Sequence, residues 1–200
     1  MNNYIVKGNF CYSRSMDELV CEENAFAVVE SGRVAGVFHT LPERYAALPV
    51  LDYGDRLILP GMTDLHVHAP QFSFRGLGMD MELLEWLNTY TFPEESKYKE
   101  LDYAGRAYGS FVSHLLHSTT TRAAIFATIH VPATELLMQK LEDAGLGCYV
   151  GKVNMNRNSP AYLREISTNQ ALRDTERWIC ETKERYAHVK PILTPRFIPS

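Results

Sequence analysis

The sequence predicts an α/β fold: the first half of a (β/α)8 TIM-type barrel, preceded by a small β-sandwich-like N-terminal domain. Three observations support this prediction. The first 58 residues read as β-strands, and the remainder alternates short apolar strands with helix-like stretches. Only four such units fit into 200 residues, whereas a complete barrel takes about 250. We therefore predict a β domain over 1–58 and an incomplete barrel portion over 59–200.

The β domain is predicted from two stretches. The segment "YIVKG" opens the first strand, and "AFAVVESGRVAGVFHTL" contains two β-rich runs. Ser31-Gly32-Arg33 lies between these runs, with a glycine where φ can become positive. This is the pattern of a β-hairpin.

The barrel portion is predicted as four β/α units. Leu57-Ile58-Leu59 begins the alternation, and later strands are expected over 119–126, 147–155 and 189–197. The first helix has apolar residues at helical spacing, including Tyr108 and Phe111. The second runs from Pro132 to Gly145, and the third presents one face with Leu172, Thr175, Ile179 and Tyr186. Strands joined by helices of this length pair in parallel.

Composition excludes several classes of partner. The net charge is -4 with a pI near 6.0, and no Lys or Arg run suits a row of phosphates, so nucleic acid is not expected. No apolar run approaches the roughly 18 residues of a membrane span. The four cysteines form no Cys-x-x-Cys, which argues against a zinc ribbon or a disulfide framework. We predict a cytoplasmic protein.

The segment "LPGMTDLHVHAPQ" carries the clearest chemical signal. On a strand, His66 and His68 point to the same side and can both bind one metal ion. Asp64 points to the same side of the strand. It could accept a hydrogen bond from one of these histidines and so fix the orientation of the metal ligand. A bare His-x-His is also compatible with chance alternation on a half-buried strand.

The surrounding residues favour the metal site. The run from Pro60 to His68 resembles the signature that opens the barrel in the amidohydrolase superfamily. The blocks "HAPQFSFRGLGMDMELLEWLNTYTFPEE", "TTTRAAIFATIH", "VGKVNMN" and "VKPILTPRF" resemble successive blocks of the guanine deaminases, in the same order. The resemblance spans 57–197 and implies an N-terminal portion of such an enzyme.

The resemblance also implies residue roles and an activity. His66 and His68 are expected to bind one zinc ion, with iron as an alternative metal, and Gln71, Arg196 and Phe197 to contact the purine. Related amidohydrolases that bind two metal ions have a bridging carboxylated lysine at the end of the fourth strand. No lysine ends that strand in this sequence, which favours one metal ion over two. The implied reaction is hydrolytic deamination of guanine to xanthine and ammonia in purine catabolism. Trp86 fits helix packing, although the resemblance brings it near the pocket, and His130 is a candidate for the pocket rim.

The resemblance puts the general acid/base and the remaining metal ligands beyond Ser200. We therefore expect the isolated 200-residue chain to be inactive, and the full-length parent to be a homodimer acting on a small-molecule purine. Two alternatives stay open. One is another amidohydrolase deaminase or chlorohydrolase acting on a purine, pyrimidine or triazine ring. The other is a non-catalytic half-barrel that pairs with another chain.

Overall fold

The computed structural model describes residues 3–196, and its contacts divide the chain into two compact units between Pro60 and Gly61. The first unit is a four-stranded sheet. Its strands are β1 (Tyr4–Ser13), β2 (Leu19–Glu30), β3 (Arg33–Phe38) and β4 (Val50–Ile58). They lie in the order β3-β2-β1-β4, with β4 parallel to β1 and the other neighbours antiparallel.

The hairpin between β2 and β3 forms where the turn residues predict it. Ser31 and Gly32 have φ angles of 51° and 76°, the positive values that a tight two-residue hairpin turn requires. The strand start predicted at 57–59 is wrong, because Leu57 and Ile58 pair with Asn9 and Phe10 of β1. They therefore complete the first sheet.

The second unit is a parallel sheet covered by helices. Its strands are β5 (Met62–His68), β6 (Thr120–Phe126), β7 (Gly147–Gly151) and β8 (Val189–Pro191), in sequential order. The helices are α1 (Leu83–Trp86), α2 (Phe92–Ser96), α3 (Leu101–Leu116), α4 (Val131–Asp143) and α5 (Thr168–Thr182). A π-helical turn, Leu87–Thr91, joins α1 to α2. This is the order of four consecutive β/α units of a barrel, and it confirms the predicted fold class.

Helices α3 and α4 cover the sheet with apolar side chains. Tyr108, Phe111 and Leu137 are buried against Ile125 of β6. Each such side chain contributes roughly 1.5–3 kcal/mol by leaving water. Within residues 3–196, no helix is long and apolar enough to cross a membrane.

Two strands and one helix face differ from the prediction. β7 ends at Gly151 and β8 at Pro191, four and six residues earlier than expected. In α5 the buried face contains Ala171, Thr175, Trp178 and Thr182. Leu172 is 61% exposed, so this helix is rotated relative to the predicted face.

Two glycines allow close approach of neighbouring strand segments in the second unit. A Cβ on Gly61 would lie 2.1 Å from Oγ1 of Thr121, and one on Gly151 would lie 2.1 Å from Cγ2 of Thr194. Both distances are far below any real carbon contact. Glycine is therefore required at both positions by packing.

Candidate functional site

The histidine pair lies at the C-terminal end of β5, as the two-residue spacing predicts. The imidazole rings of His66 and His68 are 5.1 Å apart between centroids. Both rings contact Phe126 at the end of the neighbouring strand β6, at 4.9 and 4.5 Å. A shift in the β5–β6 register between Asp64 and Val67 marks a bulge at this point, a feature that re-aims side chains near functional sites.

His68 is held in its neutral form. Burial lowers the pKa of this imidazole to about 4, assisted by the charges of Arg196 and His66. Its Nδ1 atom is buried and has no hydrogen-bond partner among the described residues. A neutral imidazole with an unsatisfied ring nitrogen fits a metal ligand. Residues 3–196 contain no group of three or more His, Cys, Asp and Glu side chains that could hold a metal ion.

Asp64 contacts the backbone in this structure. Its Oδ1 accepts a 3.0 Å hydrogen bond from the main-chain N–H of His66. This bond fixes the strand at the bulge, which orients the following histidine through the backbone. A hydrogen bond in which Asp64 accepts from the N–H of a metal-binding imidazole stays a prediction.

One buried carboxylate joins Gln71 to Arg196. Oε1 of Glu95 accepts from Nε2 of Gln71 at 3.3 Å, and Oε2 accepts from Nη1 of Arg196 at 2.7 Å. The side chains of Glu95 and Arg196 are 2% and 5% exposed. Arg196 follows β8 by five residues, so the predicted position at a strand end is wrong, but its side chain still reaches this end of the sheet.

A cavity of about 330 Å³ opens beside the histidines. His66, His68, Gln71, Phe74 and Trp86 are among its lining residues. Trp86 therefore combines packing with a place in the cavity wall: its Nε1 donates to the carbonyl of Leu77 at 3.1 Å. Phe197, also predicted to contact a ligand, lies outside the described residues.

A family model described as "Amidohydrolase family" matches residues 57–198. The chain belongs to the amidohydrolase family. The match begins at the end of β4 and includes the histidine pair, Glu95 and Arg196. Family membership implies a divalent metal ion, and the donor set at His66 and His68 fits part of such a site.

Relatives of this amidohydrolase chain are guanine deaminases. It is 41% identical to the Dictyostelium discoideum guanine deaminase over 152 residues, which are 76% of this chain and 34% of that protein. It is 41% identical to the Homo sapiens guanine deaminase over 140 residues, 70% of this chain and 31% of that protein. The chain thus spans about a third of the length of these curated relatives.

A solved structure shares the fold of the chain closely. The crystal structure of a guanine deaminase from C. acetobutylicum, with guanine bound in the active site, aligns with a TM-score of 0.95 and 45% identity. The alignment covers 100% of this chain and 47% of that chain.

Two further ionisable side chains of this amidohydrolase chain lie at the same end of the sheet. Lys152 follows β7, is 2% exposed and binds Oε1 of Glu165 at 2.5 Å. His130 follows β6, and its Nε2 is buried without a partner among residues 3–196. Burial, with the nearby charges of Lys152 and Lys99, lowers the pKa of His130.

Sequence reasoning missed Glu95, which connects the predicted ligand-binding residues. The available signal was an acidic side chain between Phe92 and Tyr98, both of which are buried. Pro93 has no amide hydrogen to donate to a carbonyl of the preceding helical turn. This fits the π-helical turn that precedes α2. Because short helices such as α2 give weak periodicity, the inward direction of Glu95 could not be predicted.

Proposed function

We propose that this chain takes part in the zinc-dependent hydrolytic deamination of guanine to xanthine and ammonia, a reaction of purine catabolism. The observation that carries the proposal is its 45% identity, over its whole length, to a guanine deaminase whose active site holds guanine. The proposal concerns the enzyme of which such a chain forms part, because the chain spans about a third of its curated relatives.

In this proposal His66 and His68 bind the metal ion. A bound zinc ion lowers the pKa of water and so makes a nucleophile available at neutral pH. The role of the chain is to supply the two imidazole ligands, and burial lowers the pKa of His68 to about 4, which keeps this ring neutral. Phe126 packs against both rings and limits their rotation.

Gln71 and Arg196 hold the purine in this proposal. Guanidinium is always charged and presents several N–H donors, which suits a ring carbonyl. The Gln71 amide can pair with the ring edge beside that carbonyl. Trp86 and Phe74 supply apolar walls to the cavity that contains Gln71, as ligand pockets for flat rings require. Phe197 is proposed to lie against the ring.

The finer attributes of the enzyme are also proposals. Zinc is the proposed metal, one ion per site, and iron stays the alternative, because imidazole ligands suit both metals. A cytoplasmic location and a homodimer are carried over from the sequence prediction. Metal analysis measures the identity and number of bound ions, and elution volume measures the oligomeric state.

A segment-swap enzyme tests the proposal. In this enzyme, the part of the C. acetobutylicum guanine deaminase that aligns with this chain is replaced by the 200-residue chain. We expect it to convert guanine to xanthine with one zinc per chain. His66→Ala is expected to reduce both zinc content and xanthine formation to background.

His117→Ala provides the matched control. His117 is exposed at the end of α3, where its Nδ1 contacts the carbonyl of Ser113. Its removal should leave zinc content and rate unchanged. A folded segment-swap enzyme that leaves guanine untouched, or that acts instead on a pyrimidine or triazine ring, would contradict the proposal.

A further inference from the structure

Glu95 uses both carboxylate oxygens on the two residues proposed to hold the purine. Oε1 accepts from Gln71 and Oε2 accepts from Arg196, at 3.3 and 2.7 Å. The carboxylate side chain is only 2% exposed, so water does not compete for these positions. In sequence, Glu95 is 24 residues from Gln71 and 101 from Arg196.

The chemistry of a carboxylate fixes the direction of both partners. Ionised carboxylate oxygens only accept hydrogen bonds, so the Gln71 amide must turn its NH₂ group toward Glu95. Its carbonyl oxygen then faces away and is available as an acceptor. Arg196 commits one Nη1 donor to Glu95 and keeps its other N–H groups as donors.

We propose that Glu95 is a positioning residue that sets the hydrogen-bonding polarity of ligand recognition. It makes Gln71 an acceptor and Arg196 a donor toward the ligand, which matches a ring N–H next to a ring carbonyl. This edge occurs in guanine, and the inference rests on the proposed function. Glu95 itself does not touch the reacting atoms in this proposal.

The neighbouring residue Glu94 offers a matched comparison. It is also buried, at 8% exposure, but its oxygens accept from Ser73, Lys97 and Tyr103. None of these three side chains has a proposed role in binding. Of the two adjacent glutamates on this short helix, only Glu95 therefore contacts side chains that are proposed to bind the purine.

The test measures guanine turnover by the segment-swap enzyme carrying Glu95→Gln or Glu94→Gln. Glu95→Gln replaces an obligatory acceptor by an amide that can face either way. Because one hydrogen bond to a charged group is lost or misdirected, we expect KM for guanine to rise roughly tenfold or more. The change in kcat should be much smaller. Glu94→Gln should leave both constants within about twofold, as expected for a position outside the binding residues.

A second readout separates recognition from mere stability. The guanine analogue 2,6-diaminopurine, tested as a competitor, carries an amino donor where guanine has its carbonyl, so it opposes the donor of Arg196. We measure the preference as the ratio of the inhibition constant of this analogue to KM for guanine. The ratio should be high in the wild-type enzyme. It should fall in Glu95→Gln, because the Gln71 amide can then turn its NH₂ group toward the unprotonated ring nitrogen of the analogue. Glu95→Asp keeps an acceptor-only carboxylate on a shorter side chain. It should raise KM and still retain the preference.

The outcomes distinguish this inference from the function on which it rests. A wild-type segment-swap enzyme that is folded and binds zinc but does not deaminate guanine overturns both. An active enzyme in which Glu95→Gln and Glu94→Gln behave alike, or in which the preference for guanine is unchanged, overturns the role of Glu95 alone. If Glu95→Gln does not fold, Glu95→Asp compared with Glu94→Asp decides, because only the first should raise KM.

Discussion

Glu95 and Arg196 form a buried ion pair of 2.7 Å across 101 residues of sequence. The pair connects the end of the second unit's described chain to a short helix near its beginning. Both charges are almost fully removed from water, so each depends on the other for compensation.

We expect Arg196→Met to lower the free energy of unfolding by about 3–5 kcal/mol, because it leaves the Glu95 carboxylate buried and unpaired. The double variant Arg196→Met with Glu95→Leu should recover much of that loss, and denaturant titration of the four proteins measures the coupling. Arg177→Met removes an exposed pair with Asp174 and should cost at most about 1 kcal/mol. Equal losses for the two arginines would contradict this prediction.

Local signals in the sequence are sufficient for much of the fold. Turn residues predict the hairpin at Ser31-Gly32, Pro132 and Gly145 bracket α4, and apolar spacing predicts α3 with Tyr108 and Phe111 on its buried face. Each depends on residues close in sequence. The His-x-His spacing predicts the neighbouring imidazoles of His66 and His68, although it does not predict the bulge between Asp64 and Val67.

The structure differs from the sequence prediction where contacts between residues distant in sequence determine the local structure. Ile58 belongs to the first sheet because it pairs with Phe10, a contact that no local pattern shows. Strand β8 ends at Pro191, a length that depends on its pairing with the distant strand β7. Glu95 likewise gains its meaning only from Gln71 and Arg196, which are distant in sequence.

Gly61→Ala should destabilise the second unit by about 1–3 kcal/mol, the usual cost of overpacking. The added Cβ would lie 2.1 Å from Thr121, so the two strand ends must separate. Gly147→Ala is the control. The nearest atom to its added Cβ would be Cγ of Arg122, 3.5 Å away, and the substitution lowers the conformational entropy of the unfolded chain. Thermal unfolding of both variants gives the comparison. The prediction fails if Gly61→Ala unfolds no earlier than Gly147→Ala.

Cys148 should react slowly with iodoacetamide. Burial raises the pKa of its thiol to about 11, so roughly one molecule in a thousand carries the thiolate near pH 8. Cys180 is exposed on α5 and should be alkylated first. Peptide mass spectrometry after timed quenching measures both rates, and full denaturation should remove the difference. Equal rates in the folded chain would argue against a buried β7.

His130 should make stability sensitive to mild acid. Its pKa in the folded chain lies below the ordinary value of 6.5, so between these two values the unfolded chain binds more protons than the folded one. Stability therefore falls as the pH is lowered from about 7 through this window. We expect wild type to lose stability relative to His130→Gln over that range. If the difference in free energy of unfolding between wild type and His130→Gln stays constant with pH, the lowered pKa of His130 is refuted.

The 200-residue chain alone should bind zinc weakly and should form no detectable xanthine from guanine. Among residues 3–196, His66 and His68 are not joined by a third side chain in a metal-binding group, and catalytic zinc sites usually have three protein ligands. Calorimetric zinc titration, with a chelator as competitor, should therefore give weaker binding than the segment-swap enzyme. In both proteins, His66→Ala should weaken binding further and His117→Ala should not. If the chain alone holds zinc stoichiometrically and deaminates guanine, a complete site has formed from other residues, and His130 and Asp64 become the first ligands to substitute.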